Sequence, residues 1–168
     1  MGDVYHEWLI KRRRTIIDIL IRILFILLTL TTFFLSFFGT LSRVIFFILA
    51  IAFAYLTRYT FQSTDVEYEY SFLSGELQID RICGKARRKA CYKIEMNKVE
   101  AVAKEGSPEL EQFERQNYKY KDYSSLEDTD RRYVVFERKD KELVKIIFEP
   151  NEEIVNDMKT FAPRKVFE

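Results

Sequence analysis

The chain has 168 residues, enough for one domain with little left for a second. Its 48% apolar content is ordinary for a globular protein, but charge is sparse from Ile16 to Tyr59 and dense from Phe61 to Glu168, which excludes a uniformly soluble chain. Residues 1–59 carry seven basic and three acidic side chains and residues 60–168 carry twenty and twenty-three, so the +1 total joins a cationic beginning to a mildly acidic remainder that argues against a nucleic-acid partner.

Residues 1–15 read as a cytoplasmic basic N-terminus, with Lys11, Arg12, Arg13 and Arg14 directly before the first apolar run. Residues 16–59 read as a two-helix transmembrane hairpin. The stretch Ile23 to Phe38 is uncharged, and extension back through Asp18 gives about 20 residues, roughly the hydrocarbon thickness at 1.5 Å per residue. Asp18 and Arg22 stand one helical turn apart, spaced to pair near the interface, where the long Arg22 side chain also reaches the headgroups.

Gly39-Thr40-Leu41-Ser42 supplies a short turn. The second span centres on Val44 to Leu56 and extends from Leu41 to Tyr59, with Arg43 and Arg58 at its two interfaces and Tyr55 and Tyr59 suited to the headgroup boundary. A buried hairpin inside a soluble bundle is the competing reading. It requires an enclosing apolar core that the polar remainder does not supply. A cleaved signal peptide has an apolar core of about 7–15 residues, and here apolar sequence continues through a second span. Ala50-Ile-Ala52 imitates a cleavage site but lies deep within that span. The positive-inside bias places the basic end, and after two crossings the C-terminal part as well, on the cytoplasmic side of the membrane.

Residues 60–168 read as a cytoplasmic, mainly β domain. From Asp65 to Phe72 the chain alternates, with Val66, Tyr68, Tyr70 and Phe72 on one side and acids on the other. Ser74-Gly75 turns it into Glu76–Ile82, Gly84-Lys85 leads to Arg87–Ile94, and Lys98–Ala103 completes an expected four-strand meander. Gly106-Ser-Pro108 breaks the sheet pattern. Glu109–Arg115 suggests a short helix with Leu110 and Phe113 on one side, Asn117–Ser124 a further strand, and Ser124–Asp130 a loop. Arg131–Arg138 and Glu142–Phe148 flank the turn Lys139-Asp140-Lys141. Asn151 caps a final helix whose glutamates favour its positive end, with Ile154, Val155, Met158 and Phe161 as its apolar face. About seven strands and a terminal helix suggest a small barrel or sandwich with that helix over its open end.

The opening Met1-Gly-Asp-Val-Tyr-His-Glu-Trp-Leu-Ile-Lys-Arg-Arg13, the double apolar segment, Tyr68-Glu-Tyr-Ser-Phe72, Gly75-Glu-Leu-Gln-Ile-Asp80, Phe148-Glu-Pro-Asn-Glu152 and Ala162-Pro-Arg-Lys-Val-Phe167 resemble an uncharacterised family of small clostridial-type two-span membrane proteins. The soluble part resembles bacterial pleckstrin-homology-like domains, and this resemblance implies a seven-strand barrel with a C-terminal α-helix. It carries over no catalytic residue. The fold expected is therefore a membrane α-helical hairpin followed by a pleckstrin-homology-like barrel.

Arg81, Lys85, Arg87, Arg88 and Lys89 place five cations within nine positions and are candidate contacts for anionic lipid or a partner. The competing reading is a solvated hairpin balanced by nearby acids. Tyr118, Tyr120 and Tyr123 alternate with Lys119 and Lys121, superficially a stacking surface, but acidic Glu127, Asp128 and Asp130 follow. A packed strand or peptide-binding edge explains them more simply.

No GxSxG, HExxH or phosphate loop occurs. Glu109, Glu111 and Glu114 have no evident pocket, and Asp128 and Asp130 lack the rest of a calcium loop. Cys83 and Cys91 have neither metal nor redox spacing, and His6 is the single histidine, so no metal or cofactor is expected. Thr29, Thr32, Ser36 and Gly39 form a small-residue stripe suited either to self-association or to closure of the hairpin itself. The sequence thus favours a membrane-anchored interaction or scaffold module, holding a protein partner or a second copy at the bilayer. A small membrane-tethered enzyme is the alternative.

Overall fold

A computed structural model describes residues 5–38 and 41–167. The chain divides into two compact units, one formed by Arg14–Val66 with Cys83–Arg87, the other by residues 5–13, Glu67–Ile82 and 88–167.

The first unit contains helices α1 (Ile16–Leu35) and α2 (Leu41–Thr64), packed against each other. Both are long and apolar enough to cross a membrane, and only 11% of each apolar window is buried, so these helices are not the interior of a soluble bundle. Their large side chains face outward, including Leu24, Leu27, Leu30, Phe34, Ile48 and Ile51. Polar groups turn inward. Thr32 and Ser36 are buried, and Thr29 shares a 3.1 Å hydrogen bond with Thr57 across the helix pair. The hydroxyls of Thr29, Thr32, Thr57 and Thr60 also bond to backbone carbonyls one turn back, at 2.7–2.8 Å. The small-residue stripe therefore closes the hairpin at Thr29, Thr32 and Ser36. Its Gly39, like the Gly39-Thr40 part of the expected turn, lies outside the described residues.

The second unit holds eight strands among the described residues. These are β1 (Tyr5–Lys11), β2 (Val66–Leu73), β3 (Glu76–Cys83), β4 (Arg87–Glu95), β5 (Val99–Lys104), β6 (Tyr118–Asp122), β7 (Tyr133–Lys139) and β8 (Glu142–Phe148); the β2–β4 ends at Val66, Cys83 and Arg87 run into the first unit. They form two four-stranded sheets, ordered β1-β2-β3-β4 and β5-β7-β8-β6. The expected pleckstrin-homology-like barrel is thus corrected: the sheets are not closed, and β5 leaves the anticipated four-strand meander to pair with β7.

Two features account for the break. The outer edge of β5 is already used, since Val102 donates to the Lys165 carbonyl at 2.7 Å and accepts from the Phe167 N–H at 2.8 Å. With those backbone groups satisfied, β5 offers no ladder there to β4. In addition, β8 is buried on both faces from Leu143 to Phe148, as a central strand covered by two layers must be. One layer comes from the segment that interrupts the barrel pattern, a 3₁₀ turn at Pro108–Leu110 and the short α3 (Glu111–Glu114), and the same segment continues into β6, which extends the sheet as the parallel neighbour of β8. Leu110 joins a core with Ala101, Ala103, Val134, Phe136, Leu143 and Ile147, and Phe113 stacks on Phe136 at 5.3 Å.

The other side carries the larger core. Tyr70 of β2 meets Phe148 of β8 edge-on at 5.7 Å, and Phe72 meets Phe161 of α4 (Glu152–Phe161) at 5.5 Å. Asn151 caps α4 by accepting from the Ile154 N–H at 3.0 Å. The segment before α1 supplies a strand that composition did not reveal: β1 pairs antiparallel with β2, setting Trp8 opposite Tyr70 and Ile10 opposite Tyr68. The basic residues at its end hid the alternation of His6, Trp8 and Ile10.

A candidate membrane-proximal basic turn

The hairpin unit includes not only the two helices but also the turn between β3 and β4. Gly84 and Lys85 both adopt positive φ, +57°, as a two-residue hairpin turn demands. The Gly84 N–H donates to the Asp65 carbonyl just past α2 at 2.8 Å. A Cβ at Gly84 would lie 3.0–3.1 Å from Gln62, so a larger residue does not fit without displacing the turn. Arg87 places its guanidinium 5.7 Å from the centre of the Tyr59 ring, within cation–π range. The turn is therefore fastened to the last two turns of α2.

The same end of the hairpin is tied together from α1. Asp18 accepts from the Thr15 N–H at 2.9 Å and stabilises the helix start. Arg22 is buried, donates from Nε to Thr64 Oγ1 at 2.7 Å and from Nη2 to the Phe61 carbonyl at 3.2 Å, and lies over the Phe61 ring. Arg14 pairs with Asp65 at 3.3 Å. Arg58 and Tyr59 are exposed on α2. Arg43 stands at the other end of that helix, beside a cavity of about 430 Å³ with Phe33, Phe37 and Phe47. Before α1, Lys11 lies opposite Glu67, Arg12 is half-buried, and the Arg13 N–H donates to the Ser125 carbonyl at 2.7 Å.

The five clustered cations are divided between the two units. Lys85 and Arg87 belong to the hairpin unit and are exposed. Arg88, on the other unit, is engaged by three acids: it pairs with Glu69, with Glu7 at 3.2 Å and with Asp80 at 3.4 Å. Glu69 and Asp80 are themselves buried, so Arg88 offsets their charge across β1, β2 and β3. Lys89 is exposed on β4, and Arg81 is half-buried on β3. Burial pushes the nearby Cys91 thiol up, with Arg81 and Lys89 opposing that shift, which leaves a poorly nucleophilic thiol.

The alternating tyrosine and lysine run is likewise split. Tyr118 packs on Phe136, Lys119 pairs with Glu142 at 2.5 Å, and Lys121 lies 4.2 Å over the Tyr92 ring. Tyr123 meets Tyr68 at 5.6 Å, and burial pushes its phenol up to about 12. Only Tyr120 stands well exposed among these tyrosines, hydrogen-bonded to Asp122 at 3.1 Å.

Two cavities open in the sheet unit. One of about 540 Å³ is lined by Trp8, Lys104, Arg131, Tyr133, Glu152 and Val155 among others, and one of about 510 Å³ lies beside Gly75, Met96 and Phe161. Among the described residues no group of three or more His, Cys, Asp or Glu side chains is placed to hold a metal.

A family profile described as "Bacterial PH-like domain (DUF6106)" matches residues 2–168. The chain belongs to this family. No curated protein and no solved structure matches it. The match spans the helical hairpin of this bacterial PH-like chain as well as its sheets. Sequence reasoning singled out the basic run of this PH-like chain but missed how it divides. The acids that engage Arg88 come from three separate strands, and only the strand order brings them together.

Proposed function

We propose that this protein is a small, clostridial-type two-span protein of the bacterial cell membrane, with both ends of the chain in the cytoplasm. Its PH-like domain holds a protein partner or a second copy against the bilayer, and the basic turn assists orientation on anionic lipid. The observation that carries the reading is the inverted packing of the hairpin, apolar outside and hydroxyl-lined inside, on a chain whose other unit buries its apolar groups normally.

Reporter fusions test the topology. A fluorescent protein active in the cytoplasm should report at either terminus, and a periplasmic phosphatase should report only from the hairpin tip. Proximity labelling with the full chain should then return a reproducible partner set or the chain itself. A set identical to that of an unrelated two-span hairpin would refute the interaction role. The cavity at Trp8, Lys104 and Arg131 is the observation behind the alternative of a tethered enzyme. A small molecule that copurifies in that cavity and is turned over would favour it.

A further inference from the structure

The turn at Gly84 raises a sharper question than the charge run did, namely which of the cations meets the bilayer. Helix α2 has 24 residues, about 36 Å at 1.5 Å per residue, against a hydrocarbon core of about 30 Å. The excess is about one turn. A span that fills the hydrocarbon therefore leaves the end of α2, with Gln62 and Thr64, at headgroup depth, and Tyr59 near the boundary where tyrosine is enriched. The β3–β4 turn is pinned to that end through the Gly84–Asp65 hydrogen bond, the close approach to Gln62 and the Arg87–Tyr59 contact.

Lys85 and Arg87 are exposed there, and among the described residues neither has a carboxylate partner. Arg88, one position further, has three. Charge complementarity therefore separates neighbours that look equivalent in sequence.

We infer that the β3–β4 turn is a fixed headgroup contact, in which Lys85 and Arg87 bind the phosphates of anionic glycerophospholipids while Arg88 is a structural cation of the β-sheet. The inference rests on the two-span reading and deepens it by naming the lipid class and the residues. The occupant is the bilayer that the hairpin crosses, because the turn belongs to the same packed unit as the two helices. Each juxtamembrane cation adds about fivefold in preference for an anionic surface.

The test uses the full chain in nanodiscs of phosphatidylcholine mixed with phosphatidylglycerol. Native mass spectrometry reads the proportion of phosphatidylglycerol retained by the protein. Lys85→Gln with Arg87→Gln should lower the preference for phosphatidylglycerol at least tenfold, whereas Lys85→Arg should keep it. Arg88→Gln should leave lipid preference unchanged and lower the melting temperature of the β domain.

Unchanged preference in the double variant would overturn the inference, as would an equal loss in Arg88→Gln. Displacement of phosphatidylglycerol by inorganic phosphate would also overturn it, by showing a free-anion site in place of a bilayer contact. Carbonate extraction separates the two levels of failure. If the wild-type chain leaves the membrane, the two-span reading itself falls; if it stays and the preference is unchanged, only the turn is misassigned.

Discussion

The two units of this molecule distribute the same kinds of residue in opposite ways. In the hairpin, leucine, isoleucine and phenylalanine are exposed and arginine, threonine and serine are buried; in the β domain Tyr70, Phe72, Leu77, Phe136 and Phe148 are buried almost completely. Burying apolar surface is favourable where the alternative is water and gives little where the alternative is lipid. The hairpin is held by small-residue packing and by hydroxyls that satisfy one another or the backbone. The β domain is held by two apolar cores on either side of its second sheet.

The comparison is broken most severely in the core. Phe136→Ala removes a ring stacked on Phe113 and met edge-on by Tyr118, and should cost the β domain about 3–5 kcal/mol in denaturant unfolding. Leu24→Ala, at an exposed hairpin position, should leave that unfolding transition in place. An equal loss from both would show that the hairpin packs as a water-soluble core.

Next in size is Tyr70→Phe. The Tyr70 hydroxyl donates to the Tyr123 carbonyl at 2.7 Å and accepts from the Glu149 N–H at 3.3 Å, so its removal strands two backbone groups. A loss of about 1–3 kcal/mol is expected. Because burial drives the Tyr70 phenol far above its ordinary range, the wild-type ultraviolet tyrosinate titration should hold a component that ionises only when the domain unfolds, and Tyr70→Phe should lack it.

A smaller effect belongs to the hairpin. Thr29→Val deletes the contact to Thr57 while preserving shape, and should weaken helix association in detergent by about 0.6 kcal/mol, the average for such bonds in a membrane. Unchanged association would show that the Thr29–Thr57 contact does not help hold the pair.

The smallest effect concerns how β1 is fastened. His6 Nδ1 lies 2.5 Å from Asp157 of α4, and that hydrogen bond, with Glu153 nearby, raises the imidazole above its usual 6.5 against a lesser opposing effect of burial. Protonation is favoured in the folded state. The stabilisation is therefore full below pH 6.5 and disappears as pH climbs through the raised value. Melting temperature should fall with pH across that window in the wild type, and His6→Gln should flatten the profile there. A parallel profile in both proteins would show that the pair contributes nothing.

Much of the architecture was legible because it depends on local periodicity. The long apolar runs, the alternation from Val66 to Phe72, the turns at Ser74-Gly75 and Gly84-Lys85, and the Asn151 cap all follow from backbone geometry and nearest-neighbour chemistry. Even Leu110 and Phe113 lie on one side, as their spacing suggested, because both face the Phe136 core. Two features were not legible. The barrel failed because the last residues of the chain occupy the edge of β5, a pairing across more than sixty positions that no local pattern announces. Strand β1 was concealed by the basic run at its end.

By itself the sequence determined where apolar surface must leave water, since hydropathy and period are properties of consecutive residues. The tertiary structure alone decided which charges stand free. Arg87 and Arg88 are adjacent and chemically identical, yet one lies over Tyr59 at the end of a helix and the other among Glu7, Glu69 and Asp80. Coulomb energy depends on distance through space, and the strands that set those distances are far apart along the chain.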